Sequence, residues 1–225
     1  MDEIFDVYKI AMNRVQKDKL RRFFLFLKEE NAKYNLTALT EERDVYCKHF
    51  ADSLLIVDML KSGKLLDVGS GGGMPAIPLS VAREDISFTL LEATGKKCAF
   101  LRAAASLLDL KNVTVLQGRA EENAKGALRE SFDTVTARAV ARLDTLAEYC
   151  LPFVKKGGVF VAYKGDAAEE IKKAENAVKI LGGRFKKTEN FLLEGAKREI
   201  VFIEKIENTP AAYPRGKGKE RKNPL

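Results

Sequence analysis

The feature that most constrains the fold is an alternation of short aliphatic runs and helical stretches that starts at Lys64. Helices are expected over 74–82, 94–108, 142–151 and 166–181, and closing strands near 184–193 and 198–205. The five earlier runs with strand composition are KLLDVG, ISFTLLE, NVTVLQG, FDTVTARAV and GGVFVAYKG. This alternation predicts an α/β fold with a seven-stranded, mostly parallel sheet and helices on both faces.

The chain is expected to have three parts. Residues 1–61 are interpreted as an α-helical extension packed on the core, with Ile4, Val7, Ala11 and Val15 on one face. Residues 62–206 form the α/β core, and 207–225 form a basic tail. The ending RGKGKERKNPL has five basic residues and one acid among glycines and a proline, so it is expected to be mobile when unbound.

Composition narrows the class of protein. The 225 residues are 46% hydrophobic and 32% charged, without an apolar run near the roughly 20 residues that cross a bilayer. A cytoplasmic monomer without a membrane partner is the expectation. The net charge of +7 is compatible with a polyanionic partner. Cys47, Cys98 and Cys150 lack metal-ligand spacing, so we expect buried thiols and no metal site.

The motif LLDVGSGGGMPAIPL places glycines where a buried strand turns into a helix. Gly69, Gly71 and Gly73 permit close approach of a ligand to the backbone, although glycine turns are also common for structural reasons alone. Met74 replaces the last glycine of the dinucleotide fingerprint, which favours S-adenosylmethionine over NAD. Glu92, at the end of the next strand, is suited to accept hydrogen bonds from both ribose hydroxyls.

Six segments of the chain, taken together in their order, point to one family. They are NLTALT, KHFADSL, LLDVGSGGGMPAIPL, GRAEE, TARAVARL and the ending NTPAAYPRGKGKERKNPL. With these segments the sequence resembles the bacterial 16S ribosomal RNA guanine-N7 methyltransferases, the glucose-inhibited division protein B family. That resemblance implies a Rossmann-like class I methyltransferase fold, S-adenosylmethionine as methyl donor, and 16S rRNA or the small ribosomal subunit as partner.

The resemblance also implies which residues bind the cofactor. Ala120 and Glu121 would flank the adenine, and Arg138 would face the methyl donor. The remaining implied contacts come from the glycine loop and from the end of the second strand: Gly69, Met74, Glu92, Ala93 and Thr94.

Methylation of guanine N7 needs no general base, because this nitrogen has an in-plane lone pair and carries no proton. The enzyme must chiefly position and desolvate the reactants. The fourth strand ends in TARAVARL, without the Asn/Asp-Pro-Pro-aromatic element of amino-group methyltransferases, which fits a ring-nitrogen target. Cys150 lies within an expected helix and is interpreted as a core residue, not a nucleophile.

Several side chains are candidates for positioning the RNA. Arg138 is expected to contact guanine O6 or a phosphate, with a salt bridge to Glu121 or Glu92 as the alternative. Tyr163 and Lys164 offer a stacking ring and a cation, or are ordinary surface residues.

Further candidates lie in the extension and near the tail. Asn35 is a substrate-facing or helix-capping residue, and His49 has a chemical or a packing role. Arg198 and the cations of 215–222 contact phosphates or are merely solvated.

Three functions compete at this point. The leading hypothesis is methyl transfer to a 16S guanine near the decoding site. The second is a cofactor-binding RNA module that acts in ribosome assembly with little turnover. The third is a small-molecule methyltransferase or an NAD enzyme on the same fold.

Overall fold

The computed structural model describes all residues 1–225 and contains one seven-stranded sheet in the order β3-β2-β1-β4-β5-β7-β6. Neighbours among β1 to β5 pair in parallel, and β7 runs antiparallel to both β5 and β6. The predicted α/β fold is therefore confirmed. The strands are β1 Gly63–Val68, β2 Ile86–Glu92, β3 Val113–Gln117, β4 Phe132–Arg138, β5 Val154–Lys164, β6 Gly183–Leu193 and β7 Ala196–Lys205.

The four helices predicted between the strands begin and end within two residues of their expected bounds, and a short helix between β3 and β4 was not predicted. A π-helical turn, Tyr46–Ala51, joins two short helices of the amino-terminal part, and 3-10 turns occupy Val57–Met59 and Leu151–Phe153. None of the helices is long and apolar enough to cross a membrane. The helices are α1 Asp2–Val7, α2 Arg14–Tyr34, α3 Glu42–Val45, α4 Asp52–Leu54, α5 Ala76–Ala82, α6 Gly95–Leu107, α7 Ala120–Asn123, α8 Leu143–Cys150, α9 Ala168–Ile180 and α10 Lys219–Lys222.

Two hydrophobic clusters cover the two faces of the sheet. The larger cluster joins the amino-terminal helices to α5 and α6, with stacked rings such as Phe23 and Phe50 at 5.5 Å between centroids. The smaller cluster packs α8 and α9 on the other face. Neighbouring residues of β1 point in opposite directions, so Leu65 belongs to the first cluster and Leu66 to the second.

The apolar face predicted for the first residues is wrong in part. The helix stops at Val7, and a new one starts after Asn13, whose side chain forms a capping box with Gln16. The interruption breaks the helical phase, so Val7 and Val15 are 72% and 64% exposed while Ile4 is buried.

The expectation of a mobile tail is also corrected, because residues 209–225 pack on the core. The Arg129 guanidinium donates to the carbonyl oxygens of Thr209 and Tyr213 at 2.6 and 2.9 Å. The Thr209 N–H donates to the Glu130 carboxylate at 2.6 Å. Charge and glycine content indicated a solvated segment, but the residues that hold it lie far away in the sequence.

Candidate functional site

The site lies at the carboxyl edge of the sheet, where the strand order reverses beside β1. The connection that leaves β1 runs to β2 on one side, and the connection that leaves β3 crosses to β4 on the other side, so a crevice opens beside β1, the usual ligand position in such sheets. Gly69 follows β1 with φ +73°, a left-handed conformation that favours glycine. A Cβ atom at this position would meet Val140 Cγ2 at 2.8 Å, so a side chain has no room there.

Glu92 holds the crevice together. One carboxylate oxygen accepts a hydrogen bond from the Gly71 N–H at 3.0 Å, and the other accepts from the Thr94 N–H at 2.8 Å. The Glu92 carbonyl accepts from the Gly118 N–H at 3.0 Å, which ties β2 to the loop after β3. Each carboxylate oxygen retains a lone pair that can accept from a ribose hydroxyl.

A cavity of about 280 Å³ opens over this crevice, and we name it the cofactor cavity. Of the residues predicted to bind the cofactor, Gly69, Glu92, Ala93, Ala120 and Glu121 line it. Three others do not. Its further walls come from Val68, Leu91, Gly118, Arg119, Val140, Tyr149, Gly218 and Arg221.

The three predicted residues that do not line the cofactor cavity lie in different places. Met74 is buried in the larger hydrophobic cluster. Thr94 is exposed and caps α6, and its N–H holds Glu92. Arg138 points into a different cavity.

Asp67 is a buried acid with an unused hydrogen-bonding capacity. It is 1% exposed; Oδ1 accepts from the Thr136 hydroxyl at 2.8 Å, and Oδ2 has no partner. Burial raises the pKa of this carboxyl to about 6. An unpartnered buried carboxylate oxygen next to the glycine loop fits the ammonium group of S-adenosylmethionine, directly or through water.

A second cavity, of about 510 Å³, lies beyond the ends of β4 and β5, and we name it the substrate cavity. It brings together His49, Arg138, Lys164 and Arg198, four of the five predicted substrate-positioning residues. Four cations and one acid are among its lining residues. Lys48 and Lys164 also pair with acids outside the lining, so the excess positive charge comes from Arg138 and Arg198, which share the single carboxylate of Asp52. The other lining residues are Leu39, Lys48, Asp52, Ala139, Tyr163 and Gly165.

Asp52 joins two of these cations, and sequence reasoning missed it. The carboxylate is buried, with Oδ2 at 2.7 Å from Arg138 and Oδ1 at 3.2 Å from Arg198. The alternative expectation for Arg138, a salt bridge to Glu121 or Glu92, is wrong, because Asp52 takes that place. The spacing of KHFADSL offers no sign of the pairing, since the partners are 86 and 146 residues away.

His49 fixes the orientation of Arg138. Arginine only donates, so His49 Nδ1 accepts from Arg138 at 3.1 Å, and Nε2 lies 2.6 Å from the Thr37 hydroxyl. Burial and the arginine charge lower the pKa of His49 to about 4. Both ring nitrogens of a neutral His49 are therefore bonded within the protein, and neither is free to take a proton from a substrate.

Lys164 and Tyr163 at the end of β5 have different environments. The Lys164 ammonium donates to the Ala141 carbonyl and pairs with Glu170, each at 2.7 Å. Tyr163 is 5% exposed, and its hydroxyl donates to the Ser53 carbonyl at 2.8 Å. The prediction that the Tyr163 ring stacks on a base is wrong, because the ring is packed between the sheet and the amino-terminal helices.

The two cavities meet at the end of β4. Ala139 has φ +57°, which is costly for a residue with a side chain and is typical of functional sites. Arg138 and Ala139 line the substrate cavity, whereas Val140 lines the cofactor cavity. The TARAVARL segment is thus the wall that the two cavities share.

Asn35 and Cys150 lie away from both cavities. Asn35 is exposed and ends α2 in a left-handed conformation, as a carboxyl-terminal cap. Cys150 is fully buried in the smaller cluster, which confirms its interpretation as a core residue.

Comparison with known proteins gives one family. A family model described as GidB, rRNA small subunit methyltransferase G, matches residues 16–201. The chain is 44% identical to ribosomal RNA small subunit methyltransferase G of Brevibacillus brevis, over 99% of this chain and 97% of the relative. It is 41% identical to the protein of that name in Staphylococcus aureus strain JH9, over 97% and 94%.

Solved structures resemble the fold at low sequence identity. A putative O-methyltransferase from Klebsiella pneumoniae superposes with a TM-score of 0.60 and 13% identity, over 92% of this chain and 96% of that one. A SAM-dependent O-methyltransferase from Thermotoga maritima gives 0.53 and 15%, over 82% and 72%. These similarities extend to the fold alone.

Proposed function

This chain belongs to the GidB family of rRNA small subunit methyltransferases, and we propose that it methylates N7 of a guanine in the 530 loop of 16S rRNA. Membership makes it an enzyme that uses S-adenosylmethionine. The target atom, the loop and the individual site residues are proposals. The observation that carries them is a cation-lined cavity that shares a wall with the cofactor cavity and offers no free general base.

The cofactor cavity has donors and acceptors suited to S-adenosylmethionine. Glu92 would hold the ribose, Ala120 and Glu121 would lie beside the adenine, and Gly69 would let the ligand approach the backbone. Asp67 Oδ2 would receive the ammonium group, which supplies the partner that this buried oxygen lacks. When bound, the cofactor supplies an electrophilic methyl group on a sulfonium.

Arg138 is the residue best placed to hold the guanine. Its guanidinium has five N–H donors, and three of them are directed at Asp52, Lys48 and His49. The remaining donors are available for guanine O6, an acceptor on the base edge that also displays N7. Because the three protein partners fix the guanidinium, little conformational entropy is lost when the base binds.

Arg198 and Lys164 would contact phosphates. Such contacts supply affinity and register without reading sequence. N7 attacks through its lone pair, so the reaction requires no proton acceptor in the substrate cavity. His49 agrees with this requirement, because both of its ring nitrogens are hydrogen-bonded within the protein.

The test is methyl transfer from labelled S-adenosylmethionine to small subunits purified from cells that lack this protein, followed by nucleoside mass spectrometry. The expected product is 7-methylguanosine at one position. Arg138→Ala is expected to lose most of this activity, and Arg184→Ala, an exposed arginine of β6 paired with Glu204, is the matched control. Product at another atom would refute the N7 assignment, and RNA binding without any product would favour the assembly-module alternative.

A further inference from the structure

The carboxyl-terminal tail forms part of the cofactor cavity. Gly218 and Arg221 line it together with Glu92 and Ala120, although more than 90 residues separate the two sets. We propose that Arg221 is a cofactor-binding residue that contacts the nucleoside half of S-adenosylmethionine, a role that rests on the function proposed above.

One anchor holds the start of the tail. The Arg215 guanidinium forms a two-pronged pair with Glu148 of α8, with N···O distances of 2.7 and 3.0 Å. The Arg215 backbone N–H donates to the same carboxylate at 2.8 Å. Glu148 is 1% exposed, so this pair is shielded from water and fixes the chain where the tail begins.

A second anchor lies beside Arg221 itself. Glu220 is fully buried, its carboxylate accepts from the Gly216 N–H, and its carbonyl accepts from the Thr145 hydroxyl at 3.0 Å. The Thr145 contact ties α10 to α8, and Tyr149 of the same helix lines the cofactor cavity. Arg221, the next residue along α10, is thereby held at the wall of this cavity.

Arg221 has no acidic partner. Arg215 is paired with Glu148, whereas Arg221 is exposed and forms no salt bridge. Its guanidinium lies beside the Tyr149 hydroxyl: burial raises the pKa of that hydroxyl, and a hydrogen bond from Arg221 together with its charge opposes the rise. A charged group held at a cavity rim without an acid is available for a ligand.

The chemistry of a guanidinium indicates which part of the ligand it contacts. Its planar face stacks on aromatic rings, and the purine is the aromatic part of S-adenosylmethionine. Ala120 and Glu121, proposed neighbours of the adenine, line the same cavity as Arg221. The anionic group of the ligand, its methionine carboxylate, is at the opposite end from the purine. Because Arg221 lines the cavity together with Ala120 and Glu121, it is assigned to the purine side of the ligand.

Calorimetric titration with S-adenosylhomocysteine and with adenosine, without RNA, tests this assignment. Arg221→Ala is expected to weaken both ligands about tenfold, the loss of one desolvated cation–π contact. Arg221→Lys keeps the charge but not the planar face, so it is expected to recover less than half of the loss. Lys222→Ala is the matched control, because Lys222 is a neighbouring cation that does not line the cavity.

Two outcomes would overturn the assignment. The first is wild-type affinity of Arg221→Ala for S-adenosylhomocysteine, with thermal unfolding showing that the variant is folded. The second is a loss seen with S-adenosylhomocysteine and absent with adenosine, which would put the contact at the amino-acid end. If the wild-type protein bound neither ligand, the proposed function itself would fail, so the two failures are distinguishable.

Discussion

Substitution of Gly69 by alanine introduces two destabilising effects, a side chain in a left-handed backbone conformation and a close contact with Val140. Any side chain in a left-handed conformation costs about 1–2 kcal/mol, and this applies both to Gly69 at φ +73° and to Gly71 at φ +53°. Only Gly69 has a second cost, since its Cβ would lie 2.8 Å from Val140 Cγ2. A Cβ at Gly71 would meet nothing closer than 3.8 Å.

The expected losses in free energy of unfolding follow from these contacts. Gly71→Ala is expected to lose about 1 kcal/mol, since the smaller entropy of the unfolded chain offsets part of the strain. Gly69→Ala adds an overpacking cost of about 1–3 kcal/mol. Val140→Ala removes both Cγ atoms, so the double variant should recover most of that addition, a coupling of at least about 1 kcal/mol.

Urea denaturation of the four variants measures the coupling, and titration with S-adenosylhomocysteine measures its effect on the site. Gly69 and Val140 both line the cofactor cavity, so Gly69→Ala alone is expected to bind about tenfold more weakly or worse. Equal stability of Gly69→Ala and Gly71→Ala, with no recovery by Val140→Ala, would refute the argument from close packing.

Three other groups give separate predictions. Asp52→Asn deprives two arginines of a buried partner, so urea denaturation is expected to show about 3 kcal/mol lost. Asp44→Asn, which changes the half-exposed pair of Asp44 with Lys48, is expected to lose under about 0.5 kcal/mol, and equal losses would contradict the reasoning. Burial raises the pKa of Asp67 to about 6, so its carboxyl is protonated below that pH and the affinity for S-adenosylmethionine, measured by calorimetry, should fall. If the affinity of Asp67→Asn changed with pH in the same way, Asp67 would be excluded as the source. Burial lowers the pKa of Lys205 to about 8, so above that pH the folded state releases a proton that the unfolded state keeps. Urea denaturation should therefore show the wild type gaining stability relative to Lys205→Met as the pH rises above 8, and a stability difference that does not change with pH would refute the shift.

Periodicity and composition were sufficient for the sheet and its helices, because these depend on residues close together in the chain. The cofactor loop was predictable for the same reason, since Gly69 follows β1 and Glu92 ends β2, two consecutive strands that pair with each other. Val7 and Val15 were misplaced because an apolar spacing continued across a break that Asn13 caps. The pattern of apolar residues does not reveal such a loss of phase.

The contacts made by charged side chains were much less predictable. Asp52, Glu148 and Glu220 are all buried acids, and nothing in their local sequence distinguishes them from acids on a solvated helix face. Their burial depends on arginines or backbone groups from other segments. The role of the tail was missed for this reason, since its basic composition does not indicate the attachments made by Arg215 and Glu220.

The position of Asp52 also bears on the order in which the two cavities form during folding. The contacts that build the substrate cavity span 90, 110 and 146 residues, through Arg138, Tyr163 and Arg198. The Gly71–Glu92 contact of the cofactor cavity spans only 21. Long loops close at a greater entropic cost, so we expect the Gly71–Glu92 part of the cofactor cavity, which does not involve the tail, to become structured before the substrate cavity. Pulse-labelled hydrogen exchange during refolding would show this as protection of the Gly71 amide ahead of the amides near Asp52; the reverse order would contradict it.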